Sequence, residues 1–294
     1  MKKQTYLRLV LLLFLMLPLA ACGDEGAEEV TGETAPEDMD TIEIGYNNWA
    51  ENIAASNMWK ILLEEKGYDV ELTNMEKVAV FAGVAEGDLD MAMEVWVPFT
   101  DQHHIDEYGN DFQVQDEWYE DTELGLVVPE YMEDVNSLED LNDYKEETGG
   151  EIFGIDPGAS LMELTEEAIE HYNIDYELQA SSEQAMMTEL DEAYQNEEPI
   201  VVTLWSPHWA FADYDLKYLE DPDTIYGEAD DIVFVTREGF EDEYNEVTKM
   251  MNKWKFDDQS LGELMSYINE AGDPKEGAQQ WIDENRELVD EWVN

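Results

Sequence analysis

Short apolar runs alternate with longer helical stretches along most of the chain, and this alternation narrows the possible folds more than any other feature. Residues 41–46, 69–73, 91–96, 124–129, 151–155, 176–179, 200–205 and 232–236 read as strands. Helical patterns lie between them at 53–66, 78–86, 161–172 and 183–196, a further helix opens at 137–143, and helices fill most of 241–294. Strands spaced by helices of this length build α/β units with mostly parallel sheets. The run IVVTLW at 200–205 is apolar almost throughout, as in a strand covered on both faces.

Upstream of this pattern, Lys2, Lys3 and Arg8 precede an apolar run over 9–21 that ends Leu19-Ala20-Ala21-Cys22. A charged start, a short apolar stretch and small residues at a boundary describe a secretory signal. The run is too short to span a bilayer comfortably. Its last four residues resemble a bacterial lipobox, which implies a diacylated Cys22 as the mature N-terminus, anchored at the outer face of the cell membrane. Cys22 is the only cysteine. That argues against disulfides, a thiolate metal site and a cysteine nucleophile together. Residues 1–21 are thus expected to be a signal peptide. Residues 22–40, acidic and without aromatics, are expected to be a disordered, lipid-anchored tether.

Seventy-four acidic residues against 14 basic ones give a net charge of −60. The acids are dispersed over the whole chain. In dilute buffer such a charge repels itself strongly, whereas at molar salt the screening length falls to ~3 Å. A dispersed acidic surface therefore points to a halophile. It argues against nucleic acid and anionic lipid surfaces as partners. No loop carries the D-x-[DN]-x-[DN]-G calcium pattern.

Three tryptophans share one setting. Trp49 follows the first strand within GYNNWAEN, Trp96 ends MAMEVW, and Trp205 ends IVVTLW. Ligands of open α/β sheets bind in the crevice at the carboxyl ends of strands. Any single tryptophan at a strand end is commonly core; three at one topological position point to a shared site. Trp59, Trp254, Trp281 and Trp292 lie on helical patterns and read as packing or surface residues, while Trp118 and Trp209 carry no clear assignment. A second feature is the turn Asp156-Pro157-Gly158-Ala159-Ser160-Leu161, which opens the helix over 161–172. Ser160 with Glu163 fits a capping box. Free N–H groups and the dipole at a helix N-terminus attract a carboxylate, although most capped helices bind nothing. Aromatic faces hold a trimethylammonium group, which has no N–H to donate, at ~0.5–2 kcal/mol per ring. A zwitterion such as glycine betaine matches both halves.

The segments GYNNWAE, GDLDMAMEVWVP, LGLVVPEYM, FGIDPGASLM, EPIVVTLWSPHW and DLKYLEDP resemble the glycine betaine/proline-betaine substrate-binding proteins of ABC importers. The resemblance runs from about residue 41 to the C-terminus. It implies a two-lobed, periplasmic-binding-protein-like fold of type II, with hinge-linked mixed sheets. Lobe one would be 41–127 plus 233–294 and lobe two 128–232, with the strands at 124–129 and 231–236 crossing between them. It also implies an aromatic cage of Trp49, Trp96 and Trp205, and a ligand carboxylate on the backbone amides of Ser160 and Leu161, beside Gly158. His208 would support the cage or line the cleft. Related sequences often carry a histidine soon after the second tryptophan; here the pattern is Trp96-Val97-Pro98-Phe99-Thr100-Asp101. An ionised Asp101 would repel a carboxylate, so either His103 or His104 swings in or the site favours a cation such as choline.

The implied partners are a small quaternary-ammonium solute, an ABC permease with its ATPase, and the membrane through Cys22. No cofactor is implied, and the class implies a monomer. Preference for choline, carnitine or proline betaine is an alternative reading, as is a sensor receptor or hydrolytic enzyme on the same scaffold. His103, His104, Asp106 and Glu107 lie close together but match no metal-ligand pattern and read better as a solvated acidic helix. His208 has no partner nucleophile in sequence. A non-enzymatic binding protein fits best.

Overall fold

A computed structural model describes residues 39–294; the expected signal peptide, Cys22 and nearly all of the tether lie outside the described residues. The first half of the pattern runs β1 (Ile42–Tyr46), α1 (Ala50–Glu65), β2 (Val70–Asn74), α2 (Lys77–Glu86), β3 (Met91–Val97), α3 (Gln102–Tyr108) and β4 (Phe112–Tyr119). A second group follows: β5 (Glu123–Pro129), β6 (Glu151–Phe153), α4 (Ser160–His171), β7 (Glu177–Gln179), α5 (Glu183–Asn196), β8 (Val202–Ser206), α6 (Ala210–Asp213) and β9 (Leu216–Tyr218). β10 (Asp231–Arg237) precedes the closing helices α7 (Phe240–Glu243), α8 (Asn245–Met251), α9 (Asp258–Ala271), α10 (Pro274–Glu284) and α11 (Arg286–Val293). Among the described residues no helix is long and apolar enough to cross a membrane.

The strands form two five-stranded sheets, ordered β2-β1-β3-β10-β4 and β7-β6-β8-β5-β9. Helical crossovers make the expected parallel pairs, β1 with β2 and β3, and β6 with β7 and β8. β10 and β5 are antiparallel to all their neighbours. The reason is topological: each of these two strands enters its sheet from the other sheet, without a crossover helix. The strand at 124–129 therefore does not cross between halves as expected. β5 pairs only within the second sheet, so the chain changes sheets before Glu123, ahead of the expected boundary at 127. The strand expected to cross at 231–236 likewise pairs only within the first sheet as β10, so the return lies before Asp231.

Burial explains the tryptophans on helical patterns. Trp59, Trp118, Trp254 and Trp281 are fully buried. Trp118 stacks on Trp254 at 4.4 Å between ring centroids, and its indole donates to the Met93 carbonyl. Phe256 packs edge-on against Trp254, Trp281 and Trp292. This aromatic block ties the C-terminal helices to the first sheet and accounts for Trp118 as core. Trp209 is half-buried at the start of α6 and stacks on His208.

Candidate ligand-binding site

The carboxyl ends of β1, β3 and β8 bring Trp49, Trp96 and Trp205 to one cleft between the two sheets. Trp49 is the residue preceding α1, whereas Trp96 and Trp205 are the penultimate residues of their strands. The first retains 7% exposure and the other two 3% each. The Trp49 and Trp205 rings lie 6.3 Å apart at 57°, two faces of a corner. The cleft is also lined by Glu51, Lys77, Glu94, Thr100, Leu124, Ile155, Ala159, Ser160 and Leu161.

Each indole is fixed by its edge. Trp205 Nε1 donates to Glu51 Oε2 at 2.9 Å, Trp96 Nε1 to Glu94 Oε1 at 2.9 Å, and Trp49 Nε1 to Asp156 Oδ2 at 3.3 Å. Holding the N–H edges leaves the ring faces to the cleft, the surface a quaternary ammonium needs. Glu51 and Glu94 are buried side by side at the cleft, and one oxygen of each, Glu51 Oε1 and Glu94 Oε2, has no hydrogen-bond partner among the described residues. Burial, then the neighbouring carboxyl, pushes Glu51 well above its ordinary range. Burial also raises Glu94, against the pull of Lys77. Burial and a neighbouring carboxyl both disfavour ionisation, so each carboxyl is held above its ordinary range.

Asp101 stands differently from the expectation. It is fully buried, outside the cleft lining, and its oxygens are all committed. Oδ2 accepts from the Trp96 backbone N–H at 2.9 Å and from Lys77 Nζ at 2.7 Å, while Oδ1 accepts from Ser160 Oγ at 3.1 Å. Burial pulls the Lys77 ammonium down, but Asp101, Glu94 and Glu51 outweigh it and hold it above its ordinary value. The charge of Asp101 is thus paired, and the repulsion expected of it does not follow. His103 and His104 do not swing in. His104 is buried and stacked on Phe81 at 4.4 Å, and burial lowers its pKa to about 4. The helix that carries it is therefore not solvated throughout.

The expected capping box at Ser160 is absent as well. Ala159 takes the cap position of α4 with no side-chain bond, and the Ser160 hydroxyl turns to Asp101 instead. The first N–H groups of α4, at Ser160 and Leu161, have no acceptor within the helix and sit at the cleft wall. Gly158 lines a neighbouring depression with Asn47, Asn48 and Asp156, beside the cleft and not in it. His208 lies behind the cage, edge-on to Trp205 at 4.8 Å. Its Nδ1 accepts from the Ala210 N–H, so Nε2 carries the proton and donates to Glu183 Oε1 at 3.2 Å. With both nitrogens engaged, His208 supports the wall and is no free base. The other Glu183 oxygen accepts from the Ala50 N–H at 2.9 Å.

Sequence reasoning overlooked Glu51, Lys77, Glu94 and Glu183. Among 74 acids, three more carry no signal. Lys77 was more legible, as a rare base opening the otherwise apolar helix KVAVFAGVAE.

The family described as the substrate binding domain of ABC-type glycine betaine transport system matches residues 40–284. GbuC, a glycine betaine/carnitine transport binding protein of Listeria monocytogenes, is 36% identical over 155 residues, covering 52% of this chain and 52% of that protein. The match thus spans about half the length of that curated relative. Lactococcal OpuAC, solved in a closed-liganded conformation complexed with glycine betaine, is 32% identical. The match covers 87% of this chain and 100% of that one, with a TM-score of 0.81. ProX from Borrelia burgdorferi, a glycine/betaine/L-proline-binding protein, is 31% identical, with coverage of 87% and 97% and a TM-score of 0.82. An ABC-transporter choline binding protein in complex with choline is 25% identical, with coverage of 86% and 91% and a TM-score of 0.78. The two mixed sheets with their helices are those of the two-lobed periplasmic binding proteins.

Proposed function

Since the chain belongs to the family of substrate binding domains of ABC-type glycine betaine transport systems, we propose that its cleft captures glycine betaine, or a closely related quaternary-ammonium solute, outside the cytoplasm for an ABC permease and its ATPase. The observation that carries this is the convergence of three edge-anchored indoles on one buried cleft whose wall is a helix N-terminus. The trimethylammonium group lies against Trp49, Trp96 and Trp205. The carboxylate lies at the backbone amides of Ser160 and Leu161. Cys22, once lipidated, tethers a monomer to the outer face of the membrane, and the solute serves osmoprotection in a saline habitat. The two halves close on the solute as lobes, because ligand contacts from both sheets are complete only when they meet.

A second reading, capture of choline, is favoured by one observation. Glu51 and Glu94 place carboxyl groups beside the cage, where they suit a cation with no carboxylate of its own. Isothermal titration in molar salt with glycine betaine, proline betaine, carnitine, choline and proline separates the readings. One-to-one binding of a betaine is expected. Binding of choline alone selects the second reading, and silence from all five removes both.

A further inference from the structure

Resting on that reading, we propose that the Lys77 ammonium is a ligand-binding group that grips the solute carboxylate, and so selects zwitterionic betaines over plain cations such as choline. Lys77 is the first residue of α2 and is buried, in a chain with only 14 basic residues. It belongs to the first sheet's half, whereas Ser160 and Leu161 belong to the second, yet both line the same cleft.

Asp101 brings these two sides together. One of its oxygens takes Lys77 Nζ at 2.7 Å and the other takes Ser160 Oγ at 3.1 Å. A single buried carboxylate therefore pins the ammonium beside the N-terminus of α4. Asp101 has a backbone N–H on it as well, so it has nothing left to offer a ligand. Lys77 is in the opposite condition. An ammonium has three N–H groups, and one is given to Asp101. Among the described residues no other hydrogen-bond acceptor takes the rest; the remaining neighbour is the Trp49 face, 4.9 Å from ring centroid to Nζ. A carboxylate at the Ser160 and Leu161 amides would meet this ammonium as a further donor, in a water-poor site where a charge-assisted bond is strong.

The same arrangement works against choline. A solute with no carboxylate gains nothing from Lys77 and meets a fixed positive charge already on one cage ring. The zwitterion has a defined direction in the cleft, carboxylate towards Lys77 and the α4 N-terminus and ammonium towards the indole faces.

The test is titration of glycine betaine and of choline into the wild type, Lys77→Met and the double variant Lys77→Met/Asp101→Asn. The double variant removes both charges of the buried pair, so no unpaired Asp101 is left to unfold the chain. The expected result is a loss of betaine affinity of roughly ten- to a hundredfold in the double variant, with choline affinity unchanged or raised. A purely structural role would weaken both ligands by the same factor, and that outcome overturns the proposal. Betaine affinity equal to wild type also overturns it, as does a wild type that prefers choline. A wild type that binds neither solute removes the functional reading itself, a result distinct from all of these.

Discussion

Glu51 and Glu94 do two jobs at once: each fixes the indole edge of a cage ring, and each buries a carboxyl group whose ionisation is disfavoured. The second job has a measurable sign. Their folded values lie above the ordinary 4.5, so the folded chain holds their protons more tightly than the unfolded chain. The stability contributed is complete below the ordinary value and is lost as pH rises through the raised one. The melting temperature of the wild type is therefore expected to fall as pH is raised above the ordinary carboxyl range, and that of Glu51→Gln to fall less. Parallel slopes in thermal melts of the two proteins would show that the pair ionises as ordinary surface carboxyls do. These two residues also mark the limit of what the sequence reveals. A tryptophan at a strand end stands out by type and position, and all three read as cage residues do line the cleft. A glutamate in this chain is one of a crowd, and only tertiary placement distinguishes the buried pair.

Helix α1 begins at the cleft with Trp49 in the cap position and no side-chain cap of its own. Its missing acceptor comes from the other half of the molecule: Glu183, the first residue of α5, accepts the Ala50 N–H while holding His208 with its second oxygen. A carboxylate there satisfies an orphan donor and meets the positive end of the helix dipole. Because this cap exists only when the halves meet, Glu183→Ala is expected to weaken solute affinity about five- to tenfold. It should also reduce the compaction seen by small-angle X-ray scattering on saturation; wild-type affinity with full compaction would separate this cap from closure. At this scale the sequence reads well where periodicity is clean, and α5 spans the residues expected of it. It fails where a tertiary partner outbids a local one. Ser160 fits a capping box by spacing, yet its hydroxyl goes to Asp101. β4 escapes notice because FQVQDEWY, an edge strand paired only with β10, alternates too weakly to register.

A net charge of −60 acts on the molecule as a whole. In dilute buffer, charges separated by less than ~30 Å still repel, whereas molar salt confines that repulsion to ~3 Å. Circular dichroism melts are expected to show a lower melting temperature in dilute buffer than in molar potassium chloride, and equal curves would detach the acidic surface from salt adaptation. The α/β character was legible from the alternation of strands and helices, whereas the division into two sheets came from the family resemblance. Where the chain changes sheets was not legible, since β5 has the same apolar character wherever it pairs. The edge contacts of the cage then bear on delivery. Trp205 of the second sheet is anchored on Glu51 of the first half, and Trp49 of the first half on Asp156 of the second. Each half thus owns a wall whose alignment is guaranteed by its opposite. Prying the halves apart unfastens both walls in one motion and admits water to the newly bared carboxylates. Only Trp96 keeps its anchor, on Glu94 of its own strand, so separating the halves releases two of the three rings at once.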